Sequence, residues 1–158
     1  MRFAGVAVKA GKINIAVVER QPGEVGVGVG VESAFRRITP PSPLDASGLR
    51  ELTERVQQEF RDWDIMSISL LATTKYAQWK YADACSRVLS VSAVMYAAAA
   101  ADLSYCEAKP GPIAKYLGVP KLETLSPVAL GFGNIPTYWT TGGFEAYSAA
   151  AYGARVGN

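Results

Sequence analysis

Apolar positions near the start of the chain form two short β-rich runs, Phe3 to Val8 and Ile13 to Val18. Lys9-Ala10-Gly11-Lys12 lies between them, and a glycine flanked by charges predicts a hairpin turn. After a second turn at Gln21-Pro22-Gly23-Glu24, valine and glycine alternate from Val25 to Val31. A period of two predicts a third strand, with valines on one face and a bare glycine face that allows close backbone approach. The Gly-x-Gly-x-Gly run lacks the helix start that would aim amides at a phosphate. It therefore favours a sheet edge over a phosphate loop.

Thr39-Pro40-Pro41-Ser42-Pro43 then breaks the chain, and Asp45 or Ser47 stands where a helix cap is needed. Leu49, Leu52, Val56 and Phe60 recur at helical spacing, with Glu51, Glu54, Arg55, Glu59 and Arg61 mostly off that face. Those charges read as a solvated helix surface. Asp62-Trp63-Asp64 ends the helix, and Ile65 to Leu71 reads as a buried central strand. From Tyr76 the pattern turns helical. Trp79, Ala82, Cys85, Val88, Leu89, Ser92, Met95 and Tyr96 make one apolar stripe, which predicts a core-facing side with Trp79 in the core. Leu103 to Cys106 reads as a short strand, and Pro110-Gly111-Pro112 opens a helix through Leu117. Residues 119–141 are rich in proline and glycine and predict a long irregular segment. Phe144 to Arg155 predicts a final, alanine-rich helix. No repeat or linker divides residues 1–158, which predicts one domain.

Composition narrows the chemistry. Hydrophobic residues are 49% of 158, enough for a real core. There is no histidine, which removes the commonest general base, the Ser-His and Cys-His pairs and most zinc sites. The net charge of +2 comes without a long basic tract, so it implies no nucleic-acid partner by itself. Cys85 and Cys106 have no metal-ligand spacing and read as two reduced thiols of a cytoplasmic protein. Met1-Arg2-Phe3-Ala4 starts no long apolar run, so no signal peptide is expected. The most apolar stretch, Val91 to Ala101, is 11 residues long, against the about 20 needed to span a bilayer.

The order strand, strand, strand, helix, strand, helix, strand, helix, helix resembles the RNase H-like fold of RuvC-type resolvases. That resemblance implies three antiparallel strands followed by helix-linked parallel strands in a mixed α/β sheet flanked by helices. Gly5-Val6-Ala7-Val8-Lys9 and Phe144-Glu145-Ala146-Tyr147 are also similar to the opening strand and closing helix of a family of small uncharacterised bacterial proteins of that fold. The loop Thr73-Thr74-Lys75-Tyr76-Ala77 is similar to the polar loop after the central strand.

The resemblance implies a nuclease site in which acids from the first strand, the central strand and the last helix hold two Mg²⁺ or Mn²⁺ ions. Two such ions about 4 Å apart require converging carboxylates. Ala7, Val8 and Lys9 stand at the first-strand position, and Ser69 and Leu70 at the central one, so neither supplies an acid. The last helix keeps Glu145, with Ser148 a turn further on. A degenerate site of Lys9, Ser69, Lys75, Glu145 and Ser148 is expected, with Lys9 and Glu145 in contact and Lys75 at the rim. Glu107 and Glu32 are alternative acids for a rearranged site, Glu107 by approaching Glu145.

Three readings follow. The first is a non-catalytic domain, without cofactor, that binds a protein partner or itself, through the Gly-Val strand or the segment Pro127 to Trp139. The second is a nucleic-acid-processing or nucleic-acid-binding protein related to resolvases, using Mg²⁺ or Mn²⁺ at a rearranged site or no metal. Interleaved aromatic and basic residues (Tyr76, Trp79 and Tyr81 with Lys75, Lys80 and Arg87) suit weak, non-specific strand binding. The third is a small-anion or nucleotide site at the Lys9–Lys12 turn.

Overall fold

The computed structural model describes residues 1–21, 34–73 and 78–156. Among these residues, five strands build one mixed sheet: β1 (Arg2–Lys9), β2 (Lys12–Glu19), β3 (Ala34–Ile38), β4 (Ile65–Leu71) and β5 (Ser104–Ala108). Their order is β3-β2-β1-β4-β5. β1–β2 and β2–β3 pair antiparallel, while β1–β4 and β4–β5 pair parallel. The expected hairpin is present, with Lys9 opposite Lys12. Ala10 and Gly11 take φ of 49° and 70° between them, the left-handed backbone that a two-residue turn between twisted strands demands.

Among the described residues, four helices cover the sheet: α1 (Ala46–Asp62), α2 (Tyr81–Ala100), α3 (Pro110–Leu117) and α4 (Gly143–Val156). Asp45 caps α1 by accepting a 2.8 Å hydrogen bond from the Gly48 amide. Alternation along β1 divides the core into two layers. Ala4, Val6 and Val8 meet Leu52, Val56 and Phe60 of α1 and Ala93, Val94, Ala97 and Ala98 of α2. Phe3 and Ala7 face the other way, with Ala16 and Val18 of β2, against α3 and α4. Gly5 lies on that second face. A Cβ there would sit 1.9 Å from the Ala146 carbonyl oxygen and 2.2 Å from the Ala150 nitrogen, so α4 rests on the bare backbone of β1.

The strand beside β2 is Ala34–Ile38; the Val25–Val31 run lies outside the described residues. Two expectations need correction. α2 starts at Tyr81, and Gln78 to Lys80 are not helical. The apolar stripe of α2 faces outward. Its buried residues are Ser90, Ala93, Val94, Ala97 and Ala98, while Tyr81, Val88, Met95 and Tyr96 are exposed. The inner face of α2 rests against both α1 and the sheet and is mostly small, so close backbone approach gains more contact there than bulk does.

The irregular segment 119–141 holds 3-10 turns at Leu122–Thr124 and Trp139–Thr141. Pro127 to Trp139 is partly structural: Phe132 and Trp139 pack edge-on against Phe35, with ring centroids 6.1 and 6.0 Å away, and both also meet Tyr147. Val128 and Ile135 of the same segment are exposed. Cys85 and Cys106 are free thiols. Among the described residues, no helix is long and apolar enough to cross a membrane.

Candidate functional site

β1 and β4 run parallel, so their C-terminal ends open on the same side of the sheet. α4 reaches that end with its first turn and the start of α2 borders it. Between them lies an open cleft of about 1080 Å³. Lys9 and Glu145 meet in it. The Lys9 Nζ donates to Glu145 Oε1 at 2.5 Å and stands 5.1 Å from the centroid of the Phe144 ring. Lys9 is half-exposed, but the Glu145 side chain keeps only 14% of its accessible surface. Position in the first turn of α4 favours this carboxylate, because the helix amides point their positive ends toward it. Glu145 Oε2 is buried without a hydrogen-bond partner.

On the far wall, Arg87 reaches across from α2. Its guanidinium donates to the Val8 carbonyl and, at 2.5 Å, to Thr73 Oγ1, with the Trp79 ring 5.5 Å away. Trp79 is thus a half-buried wall of the cleft and not a core residue. Lys121, Glu123 and Asp83 complete the charged lining. Three basic side chains (Lys9, Arg87, Lys121) therefore face three acidic ones (Asp83, Glu123, Glu145) among the described residues, and the cleft has little net field. Sequence pattern alone does not mark Asp83, Lys121 or Glu123, since they come from separate elements and share no spacing.

The other expected site residues do not join this pair. Ser69 is buried under α4, its Cβ 2.7 Å from where a side chain on Gly153 would begin, and its Oγ has no hydrogen-bond partner. Ser148 is fully buried and returns its hydroxyl to the Phe144 carbonyl at 2.6 Å, a bond within its own helix. Lys75 and Glu32 lie outside the described residues.

The approach of Glu107 to Glu145 fails on strand geometry. Ala108 packs into the α3–α4 layer, so Glu107 points to the opposite face, as does Tyr105, which packs in the α1–α2 layer. There Tyr105 donates to Glu107 Oε1 at 3.3 Å. Burial, then the adjacent Glu107 carboxylate, pushes the Tyr105 phenol well above its ordinary pKa.

A second polar cluster fastens the irregular segment to the sheet. Arg37 donates to Asn14 Oδ1 at 2.9 Å and to the Thr141 carbonyl at 2.8 Å, and lies 4.1 Å from the Tyr138 ring centroid. Buried Asn14 leaves no room beside Gly142, where a Cβ would fall 2.2 Å from its Nδ2. This cluster is a clasp whose donors are turned inward.

The architecture defines a RuvC-like RNase H fold. RuvC of Thermus thermophilus in complex with a Holliday junction substrate superposes with a TM-score of 0.73 at 16% identity, over 99% of this chain and 97% of that one. A second Thermus thermophilus RuvC structure superposes with a TM-score of 0.72 at 17% identity, with the same coverage. No protein-family profile matches the sequence, and no curated protein matches it.

The metal pair that the resemblance implies does not fit these residues. Ala7 and Lys9 stand where the first strand enters the cleft, and Ser69 is beneath α4. Among the described residues, no group of three His, Cys, Asp or Glu side chains is placed to hold a metal ion. Glu145 is already neutralised by an ammonium, and Asp83 and Glu123 are not grouped with it, which leaves two divalent cations without the negative charge they require.

Proposed function

We propose that this chain is a RuvC-like domain that does not cleave nucleic acid and acts by binding, to a protein partner or to a second copy of itself. The Lys9–Glu145 ion pair carries the reading. At the end of the sheet where cations would gather, the protein supplies its own cation, and the remaining carboxylate is committed to it. What stays available is a large cleft whose charge is balanced among the described residues, with exposed apolar surface elsewhere. Both suit recognition of a macromolecule better than activation of water.

Nucleic-acid binding without cleavage is the second reading. Trp79, Arg87 and Lys121 in the cleft favour it, as an aromatic plane beside two cations suits a strand, and one structural relative is seen with a Holliday junction.

Incubation with branched, duplex and single-stranded DNA and RNA in Mg²⁺ or Mn²⁺ tests the first reading. No cleavage is expected. Metal-dependent cleavage that disappears in Glu145→Gln would overturn it.

A further inference from the structure

The Lys9–Glu145 pair uses half of its carboxylate. An ammonium is a point charge on a flexible stem, and here it donates to Oε1. Oε2 of the same carboxylate is buried with no donor. A covered oxygen left in that condition is costly, because water does not replace the missing bond. The rest of the cleft shows the same surplus of acceptors. The Arg87 guanidinium is engaged by the Val8 carbonyl and the Thr73 hydroxyl. Asp83 and Glu123 are exposed and have no ion-pair partner among the described residues. Lys121 is the one lining cation in that condition among the same residues. Vacant acceptors thus outnumber vacant donors, although the formal charges cancel.

We propose that the cleft receives an arginine side chain from an extended segment of a protein partner, and that Lys9 holds the place of its guanidinium in the free protein. The inference rests on the binding reading above and names the chemistry of the partner. A guanidinium carries five donors and no acceptor, in a planar fork whose parallel N–H bonds match the two oxygens of a carboxylate. It satisfies Oε1 and Oε2 together, where the Lys9 ammonium satisfies one. The exchange needs no change of fold. Lys9 is half-exposed and swings out to solvent, while the carboxylate turns about a single bond. A phosphate backbone would bring further acceptors to a site that already has too many. The size of the site favours a segment over a lone guanidinium. At about 1080 Å³ the cleft exceeds the about 300–1,000 Å³ of most small-molecule pockets. Ala7, Ala72, Gly111 and Ala114 keep its lining low, so a backbone can lie close to it. Asp83 and Glu123, from separate elements, offer acceptors to a second cation of the same segment.

Calorimetric titration of the full chain with a capped peptide of three arginines spaced by alanines tests this. The peptide is expected to bind. The same peptide with lysine, or with the neutral isostere citrulline, should bind about tenfold more weakly. Glu145→Gln should remove the preference for arginine over lysine. Lys9→Met should bind the arginine peptide about tenfold more tightly than wild type, because the competing ammonium is gone. An ion pair with a purely structural role gives no such gain. Asp83→Asn combined with Glu123→Gln changes surface groups only and should weaken the arginine and lysine peptides alike. It therefore reports on the cleft even where Glu145→Gln disturbs folding. Absence of binding by both wild type and Lys9→Met overturns the proposal. So does equal affinity for arginine and lysine, weaker binding by Lys9→Met, or a single-stranded oligonucleotide that binds more tightly than the peptide. Arginine amide alone binding as tightly as the peptide would overturn the extended segment. None of these outcomes bears on cleavage, which the nuclease assay decides separately.

Discussion

Lys9 and Glu145 are 136 residues apart in sequence, and the sequence alone makes both visible, for different reasons. Lys9 is conspicuous as a cation at a strand end where the resemblance implies an acid, and Glu145 as the acid that remains. Ser69 and Ser148 group with them by position along strand and helix, but hydroxyls settle according to local burial, which one sequence does not reveal. The pair is uneven: the ammonium is solvated and the carboxylate is mostly covered. Lys9→Met should therefore lower stability by about 1 kcal/mol, chiefly by leaving Glu145 uncompensated. Glu145→Gln should cost less. The double variant should be more stable than the sum of the singles by about 0.5–1 kcal/mol, read from urea midpoints in a double-mutant cycle. An additive result would mean that the pair contributes no coupling.

At the scale of elements, α1 and β4 are legible in the sequence because each has one clear environment. The face Leu52, Val56 and Phe60 is buried as periodicity requires. β4 spans Ile65–Leu71, the limits of its apolar run. α2 is legible as a helix but not in its orientation. It carries apolar residues on two sides, and the hydrophobic pattern ranks them by bulk, whereas close packing on α1 and the sheet selects for smallness. The third strand escapes the pattern for a related reason. Ala34-Phe35-Arg36-Arg37-Ile38 lacks the alternation of a half-buried strand, since Arg37 is drawn into the clasp with Asn14 and Thr141. The contact between α4 and β1 leaves the least tolerance. Gly5→Ala drives a methyl into the backbone of α4, and neither element can yield without parting from the sheet. A loss of at least about 3 kcal/mol is expected in thermal or denaturant unfolding. Gly111→Ala, with open space where its Cβ would stand, serves as the control and should stay close to wild type.

Taken whole, the molecule has a small positive charge and a cleft whose charges cancel among the described residues. Binding to single-stranded or duplex DNA should accordingly be weak at physiological salt. It should also have a shallow dependence on salt, because few counterions are released when few phosphates are neutralised. A fluorescence titration at two salt concentrations measures this. Tight binding with a steep slope that Lys121→Ala and Arg87→Ala flatten would move the second reading ahead of the first.

The packing of α4 across β1, β2 and β4 also governs the order in which the fold can form. Strand β1 lies at the centre of the sheet, yet one of its faces is covered by a helix more than a hundred residues later in the chain. During synthesis the hairpin, α1 and β4 can assemble their side of the core early, while Phe3, Gly5 and Ala7 remain bare. The second layer closes only when residues 143–156 have left the ribosome. Until then the nascent sheet presents a naked apolar surface, which makes that interval the one in which a holding chaperone, or an unwanted neighbour, has most to grasp.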